Sequence, residues 1–338
     1  MKGSQPQTRP VRIVALGGGT GLSAVLRGLK EFVASPKDPT QQPIADLAAV
    51  VTVTDDGGSS GRLRREYRVL PPGDIRNCMV ALSKDEQLLS QLFQYRFPVG
   101  RALAGHSFGN LFLTALTNVT GDFPRAVQVS AQVLAIRGRI FPSTAQNVTL
   151  EAELEDGTIV AGETNISRSR HRIRRVRLVP NRVRPLPEVL QAIRGADLIL
   201  VGPGSLYTSI IPNLLVEQVT ETIAHSRATR VYIANLMTQP GETQHYSVAD
   251  HVCAIYDHTR KGLFDFAVIN RRPIPKGLLK RYRAQGAEPV QTSAAELKRM
   301  GLRYITGDLL RHNHVVRHDQ ARLTQLLLEE FVKRRVRE

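Results

Sequence analysis

The chain has 338 residues, a formal net charge of +16 and two cysteines that lie far apart, Cys78 and Cys253. This length suffices for one large α/β domain, and the cysteine spacing, which forms no CxxC or CxxH pattern, argues against a disulfide framework and a structural zinc site. No apolar run reaches the ~18 residues that cross a bilayer, and the start lacks a signal-peptide apolar region, so we expect a cytoplasmic protein without a membrane span.

The first predicted elements form a βαβ unit. Residues 1–10 are polar and are predicted to be a disordered tail. Val11–Leu16 is predicted as a buried strand, Leu22–Phe32 as a helix and Leu47–Val53 as the next strand. Because crossovers of this kind are right-handed and join parallel strands, a parallel sheet is expected.

Helical patterns come next in the chain. They cover Asp74–Leu82, Asp85–Tyr95, Ser107–Thr117 and Asp122–Ala135. The side chains of Asp74, Ser107 and Asp122 are of the types that accept hydrogen bonds at helix N-caps. We therefore predict that these three residues cap their helices.

A β-rich insertion at about residues 146–182 interrupts the α/β pattern. Val148–Leu154 and Thr158–Ala161 are joined by a segment containing Asp156-Gly157, which predicts a β-hairpin. Ile173–Val179 is predicted to add a strand. We expect the insertion to be part of a single domain that spans residues 11–338.

The α/β alternation then returns. The predicted elements are strands at Ala196–Val201, Arg230–Leu236 and Phe264–Asn270, and helices at Leu214–His225, Ser247–Tyr256 and Arg322–Val332. The pattern predicts an α/β fold: a Rossmann-like, doubly wound, mainly parallel sheet with helices on both faces and a small β-hairpin insertion.

Four polar loops directly follow predicted strands. They are Gly17-Gly18-Gly19-Thr20-Gly21, Asp55-Asp56-Gly57-Gly58-Ser59-Ser60-Gly61, Gly202–Ser209 and Met237–Thr243. In an open α/β sheet, loops at the carboxyl ends of the strands converge, so they predict one ligand cleft. Glycines let the backbone approach a phosphate, and a helix N-terminus favours negative charge. The first loop matches neither the dinucleotide pattern, which needs glycine where Leu22 stands, nor a Walker loop.

Several side chains keep more than one interpretation. Asp55 and Asp56 could hold Mg²⁺, bond a ribose or cap the next segment, and because adjacent residues of an extended chain point apart, Asp55 is the metal candidate. Arg62 could bind phosphate or lie in a solvated turn. His106 could be an acid or base, a ligand-bonding group or a histidine satisfied by local backbone, with Asn110 one helical turn further on. No catalytic residue can be assigned.

The last two loops offer neutral polar groups. The Gly202–Ser209 loop is either a second anion-binding cradle or a capped turn. The segment Asn235–Thr243 carries amides, hydroxyls and a carboxylate that suit sugar hydroxyls or a nucleobase edge, or it is an ordinary polar loop.

Six ordered segments resemble the YvcK family. They are Val14–Gly21, Thr54–Gly61, Pro72–Asn77, Gly105–Asn110, Gly202–Ser209 and Asn235–Thr243, and the match runs from about Val11 to the end. Members are named gluconeogenesis factors and share a superfamily with CofD, the 2-phospho-lactate transferase of deazaflavin coenzyme synthesis. The resemblance implies a bacterial cytoplasmic regulator that binds UDP-sugars such as UDP-N-acetylglucosamine. It also implies a role in cell shape and envelope growth under gluconeogenic conditions, with protein partners in envelope synthesis.

The loops and the resemblance together give a set of candidate ligand-contacting residues. They are Gly17, Gly18, Gly19, Thr20, Gly21, Asp55, Asp56, Gly57, Ser59, Ser60, Arg62, Asp74, Arg76, His106, Ser107, Asn110, Gly202, Gly204, Ser205, Tyr207, Thr208, Ser209, Asn235, Thr238, Gln239, Glu242 and Thr243. In this interpretation the UDP-sugar is the ligand, no cofactor is required, and Mg²⁺ at Asp55 is an option.

Two alternatives stay open. The first is a CofD-like, metal-dependent transferase acting on a nucleotide-linked phospho-substrate. The second is a nucleic-acid-binding protein that uses the arginine-rich segments 168–177 and 271–283. The absence of Trp, the 5% aromatic content and the lack of a known nucleic-acid motif disfavour the second. A homodimer is expected, because symmetric dimers are the commonest soluble assembly.

Overall fold

A computed structural model describes residues 9–34, 42–84, 88–100, 102–169, 171–311 and 313–333. The strands are β1 Val11–Gly17, β2 Ile44–Val51, β3 Arg139–Pro142, β4 Thr149–Leu154, β5 Ile159–Ala161, β6 Ile173–Val179, β7 Leu198–Val201, β8 Thr229–Ile233, β9 Phe266–Asn270 and β10 Arg303–Gly307. The helices are α1 Gly19–Leu29, α2 Gly58–Tyr67, α3 Gly73–Leu82, α4 Leu88–Gln94, α5 Phe108–Thr120, α6 Phe123–Val133, α7 Glu163–Ile166, α8 Pro187–Gly195, α9 Ile211–Leu214, α10 Val219–His225, α11 Val248–His258, α12 Lys276–Arg283, α13 Ala294–Arg299 and α14 Gln320–Leu327.

Seven parallel strands form the main sheet, in the order β10-β9-β8-β7-β1-β2-β3. In the central strand β1, Ile13 pairs with Leu47 of β2 on one side and with Leu198 of β7 on the other. All three side chains are buried, as expected for a parallel sheet that is covered on both faces. The predicted α/β fold with a mainly parallel sheet is confirmed.

The strand order reverses direction at β1. From β1 the chain moves through β2 to β3 on one side, and β7 then begins a run to β10 on the other side. Right-handed crossovers that run in opposite directions place their helices on opposite faces of the sheet. The carboxyl ends of β1 and β7 therefore form the topological switch point, where doubly wound folds bind their ligands.

The predicted insertion forms a separate antiparallel sheet in the order β5-β4-β6. Gly157 turns the predicted hairpin with a φ of +83°. Two arginines of β6 pair across the sheet with glutamates of β4, in the pairs Arg174–Glu153 and Arg177–Glu151, each at 2.8 Å. Part of the arginine-rich segment is thus neutralised within the insertion itself.

The prediction of one continuous helix at Leu214–His225 was wrong. Helix α9 ends at Leu214 and α10 begins at Val219. Between them Gln218 adopts φ +63°, a left-handed conformation that a continuous helix does not contain. A π-helical turn at Leu206–Ile210 precedes α9, so three short segments stand where one helix was expected.

Two of the three predicted N-caps were correct. Ser107 and Asp122 are N-caps, and their side chains accept hydrogen bonds from the backbone N–H groups of Asn110 and Arg125. Asp74 is not a cap, because α3 begins one residue earlier and Pro72 occupies the N-cap position. The Asp74 side chain is therefore free to face another loop.

Some sequence-based expectations lie outside the described residues. They concern residues 1–8 of the tail, the start of the helix predicted at Asp85, and Arg170 of the basic segment. Across the ranges that the structure covers, no helix has both the length and the apolarity required to traverse a bilayer.

Candidate functional site: a cleft at the switch point of the sheet

A cleft of about 400 Å³ opens at the carboxyl ends of β1, β7 and β8. Residues 18–21 after β1, 203–205 after β7 and 235–240 after β8 line it, and Ser209 contributes from the π-helical turn. Three of the four loops predicted to converge therefore do so, whereas no residue of the loop at 55–61 lines this cleft. A C-terminal hairpin closed by the bridge between Leu310 and His318 forms a further wall, through Val316, Arg317 and His318.

The glycine loop presents the start of α1 to this cleft. Gly18 occupies the N-cap position and supplies no side-chain cap, so the first N–H groups of the helix are not consumed by a capping side chain. Gly19 has a φ of +61°, which favours glycine. The backbone N–H of Gly19 donates to the Asp74 carboxylate, so Thr20 and Gly21 carry the next N–H groups at this helix N-terminus, a position that favours negative charge.

Glycine is required here because two loops pass very close to each other. A Cβ atom on Gly21 would overlap the carbonyl oxygen of Pro203 and would lie 3.2 Å from the Gly204 nitrogen. A Cβ atom on Gly18 would lie 2.6 Å from Asp74 Oδ2. The loops after β1 and β7 can therefore approach this closely only because glycine has no side chain.

Side-chain amides connect the loops after β7 and β8. Asn235 hydrogen-bonds to the backbone of Gly204, and Gln239 Nε2 donates to Ser205 Oγ at 2.8 Å. The backbone N–H of Gln239 in turn donates to Thr243 Oγ1 at 2.9 Å. These contacts fix two walls of the cleft relative to each other.

Carboxylates gather behind the glycine loop. Burial and the neighbouring Asp55 raise the pKa of Asp74 to about 6. Burial, Asp55 and Asp74 raise the pKa of the partly buried Glu163 to about 9, which keeps that carboxyl protonated at neutral pH. Asp55 itself accepts the Gly57 N–H at 2.9 Å. Asp55 Oδ2 also lies near Gly73, the first residue of α3, so Asp55 stands beside Asp74 behind the glycine loop and does not line the cleft.

Asp56 points the other way, into the insertion. Its Oδ1 accepts both the backbone N–H of Thr164, at 2.9 Å, and the Thr164 hydroxyl, at 2.7 Å. Asp55 thus stands beside Asp74, whereas Asp56 is bonded to the start of α7. Within the ranges described, no three His, Cys, Asp or Glu side chains are arranged to hold a metal by themselves.

Glu242 is a second link to the insertion. It is 4% exposed, and its Oε1 accepts the Ser167 hydroxyl at 2.9 Å. Its Oε2 is buried and has no hydrogen-bond partner within the part of the chain that the structure covers. Burial raises the pKa of Glu242. The carboxyl therefore lies behind the cleft wall rather than on its surface.

His106 belongs to a buried polar network beside the cleft. Its Nδ1 hydrogen-bonds to Ser59 Oγ at 2.9 Å, and Asn110 Nδ2 donates to the same hydroxyl at 3.1 Å. Ser107 Oγ accepts Arg76 Nη1 at 2.7 Å. Burial and then Arg62 lower the pKa of His106, so the ring is neutral at neutral pH. These groups bond to one another, although Arg76 Nε and Asn110 Oδ1 are buried without a partner among the described residues, and none of them lines the cleft between β1 and β7.

The remaining candidates hold the loops in place. Tyr207 lies beneath the Gly202 loop, with its hydroxyl 2.8 Å from that of Tyr246. The Thr208 carbonyl accepts the Thr54 hydroxyl at 3.3 Å. Ser60 Oγ accepts the Gly73 N–H at 3.1 Å, and Arg62 donates to the Ala104 carbonyl at 2.7 Å.

Sequence reasoning missed the part of the cleft lining that lies outside the predicted loops: Ala24, Tyr282, Gln285, Ala287, Val316, Arg317 and His318. Arg317 and His318 lie more than seventy positions after Thr243, where the last predicted loop ends, and no motif marks them. Asn213 is fully buried and donates through Nδ2 to the Gly17 carbonyl at 2.9 Å. Asn213 lies between the predicted Gly202–Ser209 loop and the helix predicted from Leu214, and no sequence signal marked this contact.

Comparisons with known proteins agree with this architecture. A family model described as 2-phospho-L-lactate transferase CofD matches residues 13–310. The gluconeogenesis factor of Bacillus subtilis is 49% identical over 319 residues, which cover 94% of this chain and 97% of that protein. The gluconeogenesis factor of Halalkalibacterium halodurans is 46% identical, and the match covers 94% of this chain and 95% of that protein.

A solved structure is also similar over nearly its whole length. A crystal structure of a UPF0052 family member from Bacillus halodurans matches with a TM-score of 0.89 and 45% identity, covering 95% of this chain and 99% of that one. The predicted resemblance is thereby confirmed. The chain belongs to the CofD-like family, and within it to the gluconeogenesis factors of the YvcK type.

Proposed function

We propose that the chain binds a UDP-sugar, such as UDP-N-acetylglucosamine, in the switch-point cleft and acts as a cytoplasmic regulator. The observation that carries the proposal is the N-terminus of α1, which has no capping side chain on Gly18 and lines the same cleft as Gly204 and Ser205. Backbone N–H groups and a helix dipole suit a diphosphate, which has no need of a charged side chain at this position.

The polar side chains of the third loop suit the rest of such a ligand. Thr238 and Gln239 line the cleft, and the Oε1 atom of Gln239 is buried without a partner in the described ranges. An unpartnered amide oxygen accepts a sugar hydroxyl or a uracil N–H without breaking an existing contact. A cleft of about 400 Å³ is within the size range of small-molecule sites.

The role we propose follows that of the relatives named gluconeogenesis factors. Ligand occupancy would report the supply of nucleotide sugar to protein partners in envelope synthesis, and so support cell shape and growth on gluconeogenic carbon. A homodimer is the assembly we expect for this regulator.

A calorimetric titration of the purified protein with UDP-N-acetylglucosamine tests the proposal, with GDP and NAD as controls and with or without Mg²⁺. Saturable binding of the UDP-sugar, with the ligand recovered intact, is the expected result. Failure to bind any UDP-sugar, or equal binding of GDP and NAD, would refute UDP-sugar recognition.

A CofD-like transferase is the second candidate, and the carboxylates next to the glycine loop favour it. Asp55 lies close enough to Asp74 to raise the pKa of its carboxyl. Mg²⁺ is characteristically held by one or two carboxylates together with substrate phosphates and waters. Asp55 would supply the carboxylate and the ion would neutralise charge on the transferred phosphoryl group. Metal-dependent consumption of a nucleotide-linked phospho-substrate, lost in Asp55→Asn while binding is kept, would establish this activity.

A further inference from the structure

A second pocket, of about 370 Å³, lies next to the cleft and is strongly basic. Its lining includes the five arginines Arg27, Arg76, Arg96, Arg311 and Arg317, and it includes no aspartate or glutamate. Among the described residues, none of these arginines takes part in an ion pair, whereas many other arginines of the chain do. Five guanidinium groups around one concave space give a large positive potential, which Asp74 and Asp55 partly offset at Arg76.

Helix α1 connects the pocket to the cleft. Thr20, Ser23, Ala24 and Arg27 follow one another at helical spacing, so they lie on one face of α1. Thr20 and Ala24 line both spaces, whereas Ser23 and Arg27 line the basic pocket alone. The N-terminus of α1 thus borders the cleft, and its side borders the basic pocket.

The other arginines are brought in by separate elements. Arg76 and Asn77 come from α3, and Arg96 follows α4. Arg311 and Arg317 face each other across the C-terminal hairpin, in which the Arg311 N–H donates to the Arg317 carbonyl at 2.9 Å. Four separate segments of the chain therefore place arginines around one basic pocket.

Arg76 is the most constrained of the five. Only 7% of it is exposed, its Nη1 and Nη2 donate to Ser107 and Asn77, and its Nε has no partner within the described part of the chain. Burial, and then the nearby Arg96, lower its pKa. Two guanidinium groups that repel each other in a partly desolvated space are stabilised by an anion between them, because guanidinium binds phosphate oxygens in pairs.

We propose that this arginine pocket binds a second, separate phosphorylated small molecule beside the ligand of the switch-point cleft. The proposal builds on the proposed UDP-sugar site but does not depend on it. Nucleic acid fits the pocket less well, because a concave space of this size encloses a small molecule rather than a strand. Co-binding of two anionic ligands along α1 would let the protein respond to a metabolite as well as to the nucleotide sugar.

The test uses inorganic pyrophosphate as the probe. It is titrated calorimetrically into wild-type protein saturated with UDP-N-acetylglucosamine, and into a pocket variant carrying Arg27→Gln, Arg96→Gln and Arg311→Gln. Arg76 and Arg317 stay unchanged, because the first supports the His106 network and the second lines the cleft. A matched variant with Arg125→Gln, Arg194→Gln and Arg299→Gln removes the same charge from exposed positions outside the pocket.

Pyrophosphate should bind nucleotide-saturated wild type and the matched variant with similar affinity, and the pocket variant about tenfold more weakly or worse. Equal weakening in both triple variants would show non-specific charge attraction and overturn the proposal. Loss of the pyrophosphate signal when nucleotide sugar is added to wild type would also overturn it, since the pocket would then belong to the nucleotide's own footprint. If UDP-N-acetylglucosamine does not bind at all, pyrophosphate is titrated into the ligand-free wild type and both triple variants. Selective weakening in the pocket variant then supports the arginine pocket even though the proposed function has failed.

Discussion

The side-chain amide of Asn235 engages both backbone groups of Gly204. Its Oδ1 accepts the Gly204 N–H at 3.2 Å and its Nδ2 donates to the Gly204 carbonyl at 2.9 Å. The two partners come from the ends of neighbouring strands, β7 and β8. One side chain thus sets the spacing of two cleft walls.

Replacing Asn235 with alanine should weaken UDP-sugar binding more than it weakens the fold. Two partly buried hydrogen bonds are lost, which lowers the free energy of unfolding by about 1–3 kcal/mol. The loop carrying Gly204 is then no longer held at the cleft, and we expect an affinity loss of about tenfold or more. Asn118→Ala on the exposed face of α5 is the matched control. Calorimetric titration and chemical unfolding of both variants check this, and an unchanged affinity in Asn235→Ala would contradict it.

Gly21→Ala should open the contact between the first two loops. The added methyl group overlaps the Pro203 carbonyl oxygen, so one loop must move. Overpacking of this kind costs about 1–3 kcal/mol of stability, and ligand affinity should fall with it. Gly277 is also helical, and a Cβ there meets no atom within 4 Å. Gly277→Ala should therefore raise the melting temperature slightly while Gly21→Ala lowers it, and a similar change in the two variants would show that the loop contact is unimportant.

The sheet and its loops could be predicted because apolar strands and glycine turns alternate regularly in the sequence. Helix α2 could not, since Gly58, Ser59, Ser60 and Gly61 are poor helix formers. Tertiary contacts stabilise it instead: the Ser59 and Ser60 hydroxyls bond to groups on other segments, including His106 and the Gly73 N–H.

Strand β3 was missed for a different reason. It has only four residues, ends at Pro142 and lies at the edge of the sheet, where proline is tolerated. The C-terminal wall of the cleft, with Arg317 and His318, was also missed, because its place depends on how α14 packs against α1. Such long-range packing leaves no local pattern in the sequence.

Acid should destabilise the protein below about pH 6.5, the ordinary pKa of histidine. Burial lowers the pKa of His318 in the fold to about 4, although its hydrogen bond to the Ala234 backbone opposes the shift. At His318 the native state therefore binds fewer protons than the unfolded chain between these values, so the contribution of His318 to stability is complete above pH 6.5 and is lost as pH drops towards 4. His318 alone contributes a loss of about 3 kcal/mol over this range.

Chemical unfolding of His318→Phe between pH 7.5 and 4.5 checks this assignment. The variant should lose stability less steeply than wild type as the pH falls. His225→Phe, at an exposed position on α10, should keep the wild-type slope. An unchanged pH dependence in His318→Phe would mean that other groups carry the acid sensitivity.

The division between Asp55 and Asp56 predicts opposite consequences for two adjacent substitutions. Asp56→Ala removes the acceptor of two Thr164 donors, so it should lower the free energy of unfolding by about 1–3 kcal/mol and leave ligand binding nearly unchanged. Asp55→Ala removes a carboxylate that raises the pKa of both Asp74 and Glu163, so its cost in stability should be smaller. Near a phosphate, that change should strengthen binding of an anionic ligand in the absence of metal and weaken it in Mg²⁺ if Asp55 holds the ion. Titrations of both variants with UDP-N-acetylglucosamine, with and without Mg²⁺, separate these effects, and an Asp56→Ala variant that is stable but unable to bind would reverse the assignment of the two side chains.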